Sequence, residues 1–159
     1  MATKKLFFPS AIPLSIALAV LGVGVAAHAA PPTGKIEWRT DLEGAVAEAV
    51  RTKKPLMIQV TAEWCGFCKK MLRTTYTDQD VADLVSTRFV PLVVDADEHP
   101  ELMKELEIKA YPSTVIVDPR GNIVANIKGF QDAEKFHPNI ARAYMRANPI
   151  AAGVGPRRN

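Results

Sequence analysis

Apolar residues Leu42, Ala45, Val46, Ala49 and Val50 recur at the i, i+3, i+4, i+7, i+8 spacing that gives a helix one apolar face, so the stretch around "DLEGAVAEAVRTKK" predicts an amphipathic helix capped by Thr40 or Asp41. The pattern then changes. "PLMIQVTA" is an almost unbroken apolar run entered at Pro55, which predicts a strand covered on both faces. A helix through Met71 and Leu72 follows, then a shorter one capped by Asp78 or Asp80 and carrying Val81, Leu84 and Val85. "RFVPLVVDAD" reads as a second buried strand, and "HPELMKELEI" as a short helix with Pro100 in its first turn. Around Asp118-Pro119-Arg120-Gly121-Asn122, "STVIVDPRGNIVANIKGF" reads as two strands of a hairpin. A last helix opens at Gln131 or Asp132 and runs through Phe136, Ile140 and Tyr144.

That order, with a further small strand expected at Lys35 to Trp38, predicts an α/β domain built on a central mixed β-sheet flanked by helices on both faces. Strands separated by helices are expected to pair in parallel, and the hairpin to add an antiparallel edge. There is no internal repeat.

Length and hydropathy divide the 159 residues further. Lys4 and Lys5, the apolar stretch from Ala11 to Ala27 and the small-residue triplet Ala27-His28-Ala29 follow the order of a secretory signal. The organisation expected is therefore a signal peptide over 1–29, with an uncleaved membrane anchor as its rival, a flexible lead over 30–36, one domain over 37–148 and a disordered tail over 149–159. Charge adds little. Taking Lys4 and Lys5 from the 20 Lys+Arg leaves 18 against 17 Asp+Glu, a balance that gives no basis for nucleic-acid binding.

Both cysteines fall in "TAEWCGFCKK", as Cys65 and Cys68. Three chemistries compete for them. A structural bridge over so short a loop removes little entropy from the unfolded chain. A metal site needs three or four ligands, and only His99 and His137 remain beyond the signal, neither near in sequence. Lys69 stands where covalent haem attachment requires histidine. A redox couple uses each feature of the stretch: a strand running into C-x-x-C and then a helix puts Cys65 at a helix N-terminus, where free N–H groups and the helix dipole favour a thiolate. Cys68 lies one turn behind and can attack a mixed disulfide formed at Cys65. Gly66 leaves the approach open, and Trp64 and Phe67 offer apolar surface to an incoming polypeptide.

"AEWCGFCKKM" resembles the active site of the thioredoxin-like superfamily, and the likeness continues in order through "VVDADEHPELMKELEIKAYPSTVIVDPRGN" and "IKGF", from about Trp38 to Tyr144. Within that superfamily it resembles exported thioredoxin-like domains, including the C-terminal domain of the bacterial transmembrane thiol reductase DsbD. The resemblance implies a thioredoxin-like fold and thiol-disulfide exchange with other exported proteins through Cys65 and Cys68, in the bacterial periplasm. A membrane or soluble redox partner would recycle the pair, and no cofactor beyond the cysteines is implied. It implies a cis bond before Pro112, packed against the disulfide, and a substrate groove formed by Trp64, Gly66, Phe67, Tyr111, Gly129 and Phe130.

Two positions depart from the family pattern. Gln59 stands where a buried aspartate usually relays the resolving thiol's proton, and Glu63 is the nearest alternative acid. Gly66-Phe67 between the cysteines lacks the histidine of strong oxidants, which favours a reductase or isomerase over an oxidase. A redox-independent binding or chaperone module and, less favoured, a metallochaperone are the readings from other classes.

Overall fold

A computed structural model describes residues 35–148 of the chain. The expected signal, most of the lead and the tail lie outside these residues. Among the described residues no helix is long and apolar enough to cross a membrane.

Among the described residues nine elements follow in chain order: α1 (Leu42–Thr52), β1 (Leu56–Thr61), α2 (Gly66–Thr74), α3 (Gln79–Arg88), β2 (Val90–Asp95), α4 (Pro100–Glu105), β3 (Ser113–Val117), β4 (Ile123–Lys128) and α5 (Ala133–Ala147). Aspartates start three of the helices. Asp41, Asp78 and Asp132 each accept hydrogen bonds from the free N–H groups of the following turn.

The sheet order is β2-β1-β3-β4. β1 is central, parallel to β2 and antiparallel to β3, with β4 completing the antiparallel edge. The antiparallel β1–β3 pairing departs from the expectation that strands joined through a helix pair in parallel. α4 has only six residues, about 9 Å of helix, and the rest of the link from β2 does not run back along the strand. The chain re-enters the sheet at the end where it left: Thr61 faces Asp95, and Val60 faces Ser113. The strand expected at Lys35 to Trp38 is reduced to one bridge, Arg39 to Leu92.

Alternation along β1 divides the core. Leu56, Ile58 and Val60 face one cluster, with Ala45 and Ala49 of α1 and Met103 of α4; Met57 faces the other, with Val81 and Val85 of α3 and Phe136 and Ile140 of α5. The sheet thus carries an apolar layer on each face, and each fully buried phenylalanine contributes roughly 1.5–3 kcal/mol by leaving water. Ile36 and Trp38 pack in or against the second cluster, so the segment before α1 is part of it. α1 buries less than its periodicity implies. The small residues Ala45 and Ala49 make the contact, leaving Val46 and Val50 at 43% and 59% exposure. α2 serves both layers, with Cys68 in the first and Met71 in the second.

Candidate active site

β1 ends at Thr61, and the Ala62–Cys65 turn, closed by Cys65 N donating to Ala62 O at 3.0 Å, delivers the chain to α2. Cys65 is the N-cap of that helix. Its Sγ accepts a hydrogen bond from Cys68 N at 3.1 Å, the role that a serine or aspartate oxygen plays at other helix starts. The two sulfurs are joined in a disulfide with Cα atoms 5.3 Å apart. Cys65 is 6% exposed and Cys68 fully buried, so an incoming sulfur meets Cys65 first.

Aromatic side chains flank the pair. Trp64 is 66% exposed, yet its Nε1 donates to Asp97 Oδ2 at 2.9 Å and its ring meets Tyr111 edge-on at 5.3 Å. Phe67 projects from the first turn of α2, also mostly exposed, and lies 6.0 Å from Phe130 between ring centres. Gly66 is exposed, and a Cβ there would meet nothing within 4 Å. Tyr111 packs against the cluster that holds both cysteines. The Tyr111–Pro112 peptide is cis, as the resemblance implied, and Pro112 is buried. Pro112 O accepts from Gly129 N at 2.8 Å, with Gly129 at φ 76°, a backbone angle that favours glycine. That bond joins the loop carrying Phe130 to the loop carrying Tyr111.

Gln59 and Glu63 separate. Gln59 is fully buried in β1, on the face of the second cluster. Its Oε1 accepts from Tyr76 Oη and, at 2.8 Å, from Thr114 Oγ1, while its Nε2 donates to Val60 O at 3.2 Å. The two hydroxyls are 3.0 Å from each other. Burial pushes the Tyr76 hydroxyl far above its ordinary ionisation range, with the bond to Thr114 acting in the opposite sense, so it remains a donor. Glu63 is exposed and joins no hydrogen bond or ion pair among the described residues.

Four contributors were not singled out from sequence. Tyr76 and Thr114 lock Gln59, Asp97 orients Trp64, and the ammonium of Lys70 lies 4.5 Å from the Phe130 ring centre. Thr114 stands opposite Gln59 through the antiparallel β1–β3 pairing, which the order of elements did not predict. Neither His99, at the start of α4, nor His137 belongs to a group of three or more possible metal ligands among the described residues.

The match to the family model for the thioredoxin-like domain covers residues 42–143, from the start of α1 to near the end of α5. The chain belongs to the thioredoxin-like family. A curated relative, the thiol:disulfide interchange protein DsbD of Ralstonia nicotianae, is 32% identical over 114 residues, 69% of this chain but 19% of the relative. The chain thus spans about a fifth of that protein's length. Among solved structures, the oxidised C-terminal domain of Neisseria meningitidis DsbD is 26% identical, with a TM-score of 0.58 over 67% of this chain and 99% of that one. A thioredoxin from Thermus thermophilus, at 22% identity, shares the fold, with a TM-score of 0.66 over 78% of this chain and all of the other. The thioredoxin-like domain described here is homologous to the C-terminal domain of DsbD.

Proposed function

We propose that this protein is an exported thiol-disulfide oxidoreductase that works on cysteines of other exported proteins as a reductase or isomerase. The observation that carries the reading is the pair itself: one slightly exposed sulfur at the N-terminus of α2, bonded to a buried one. In the dithiol form the Cys65 thiolate attacks one sulfur of a substrate disulfide, forming a mixed disulfide and releasing the other substrate sulfur as a thiolate. Cys68, losing its proton, attacks Cys65 Sγ and releases the second substrate thiolate. Two electrons pass to the substrate, the Cys65–Cys68 disulfide forms, and the substrate thiolates take up two protons.

Pro112 and the aromatic positions form the substrate groove in this reading, with Trp64, Gly66, Phe67, Tyr111, Gly129 and Phe130 as its surface. Gln59 carries no titratable proton and its acceptor is taken by two hydroxyls, so it holds the core beneath the site. Glu63, in solvent, is the acid nearest in sequence to Cys65 and the candidate to take the Cys68 proton. Export rests on the signal-like order of residues 1–29, which also supports a periplasmic location, and a redox partner there returns the pair to the dithiol. The DsbD of Ralstonia nicotianae is a thiol:disulfide interchange protein, which supports the same chemistry.

Direction is tested by equilibrating the protein with glutathione buffers and measuring its reduction potential. Phe67 in place of a histidine predicts a value at or below about −180 mV, away from the strong oxidants near about −120 mV. A value at the oxidising end overturns the reductase assignment.

A further inference from the structure

The groove has two aromatic pairs, and they differ in charge. Trp64 and Tyr111 form the first, where Asp97 is engaged by the indole N–H. Phe67 and Phe130 form the second, where the Lys70 ammonium lies 4.5 Å from the centre of Phe130, the one charge over these rings among the described residues. Phe67 and Lys70 stand three residues apart on α2 and therefore on one side of it. α2 contains Lys69, Lys70 and Arg73 and no acidic residue, and none of the three is in an ion pair among the described residues. Lys128 and Asp132, both exposed, lie two residues before and two after Phe130 and offset each other. The second pair is thus an apolar ledge bordered on its α2 side by cations that join no ion pair among the described residues.

We propose that Phe67, Phe130 and Lys70 form a specificity subsite for substrate segments that carry an aromatic or large aliphatic residue and an acidic residue beside the reactive cysteine. The proposal rests on the redox reading above for the reactive cysteine. Charge complementarity argues the occupant: a carboxylate finds free ammonium groups at Lys70 and its neighbours, while a substrate ring packs on Phe67, exposed to 62%. A basic segment meets like charge at the same border.

Four peptides test this, with Phe or Ala before a cysteine and Glu or Lys after it, each cysteine blocked as a mixed disulfide with mercaptoethanol. For the reduced full chain, the second-order rate is expected to be roughly fivefold higher for Phe-Cys-Glu than for Phe-Cys-Lys. It is also expected to be roughly fivefold higher for Phe-Cys-Glu than for Ala-Cys-Glu. Lys70→Glu should invert the first ratio, Phe67→Ala should bring the second towards one, and added salt should shrink only the first. If the four react alike while bis(2-hydroxyethyl) disulfide is reduced, the subsite is refuted and the redox reading stands. If the small disulfide is inert, the redox reading is the one that fails. Binding of the same peptides with serine for cysteine, followed by tryptophan fluorescence, then decides the subsite: the same order of affinity supports it and equal affinities overturn it.

Discussion

Cys68 N donates to Cys65 Sγ across 3.1 Å, so the first turn of α2 caps itself with the more exposed of the two sulfurs. The same free N–H groups favour a thiolate at that position once the disulfide opens. In the reduced protein, iodoacetamide at neutral pH should therefore modify Cys65 well before Cys68, and faster than it modifies a free cysteine. Peptide mapping after a timed quench reads the order; Cys68 reacting first would contradict the assignment of roles.

Removing the resolving sulfur should strand the intermediate. A Cys68→Ser protein mixed with an extract of exported proteins is expected to accumulate adducts that a reducing agent dissolves. Cys65→Ser/Cys68→Ser should give none. Adducts that form equally well without Cys65 would argue against Cys65 as the attacking group.

The triangle of Gln59, Tyr76 and Thr114 gives a stability prediction. Gln59→Leu removes the acceptor that both hydroxyls use and leaves them buried without it, at a cost of about 1–3 kcal/mol. Tyr76→Phe made in the Gln59→Leu background should cost less than in wild type, because the partner is already gone. Denaturant unfolding of the four proteins measures both terms, and strict additivity would contradict the network.

Asp118 organises the β3–β4 turn. Burial alone would raise its carboxyl pKa, but hydrogen bonds from the Asn122 side chain and backbone and from Arg120 N, with the Arg120 charge, outweigh burial and hold it below the usual carboxylate value. A pKa lowered by folding contributes stability above the unfolded value, and that stability is lost as pH falls through the folded value. Asp118→Asn should thus destabilise by about 1 kcal/mol at pH 7, and the gap to wild type should begin to narrow below about pH 4 and close only as pH falls through the lower folded value. A gap independent of pH would mean that the charge plays no part.

Much of this arrangement was legible in the chain. The helical spacing of Ala45 and Ala49, the apolar run at Leu56 to Val60 and the aspartates before three helices are local signals, and the elements formed where those signals lie. The setting of Cys65 at the start of a helix was equally local. What stayed hidden depends on separations that periodicity does not encode. The reversal of β3 depends on the path the chain takes between β2 and β3, and Asp97 meets Trp64 from 33 residues away. Gln59 stood out as an unexpected residue, but its acceptor is used by Tyr76 and Thr114 only because the chain after α2 and strand β3 bring both hydroxyls to the same side of β1.

In the proposed reading Cys65 exchanges electrons with disulfides. The rate at which the reduced protein converts bis(2-hydroxyethyl) disulfide to thiol, with an external dithiol in excess, reads this exchange. Wild type should run well above the uncatalysed rate, and Cys65→Ser should fall to it. If wild type does not exceed the uncatalysed rate and Cys65→Ser matches it, the exposed aromatic surface around Trp64 and Phe67 belongs to a redox-independent binding module and the oxidoreductase reading fails.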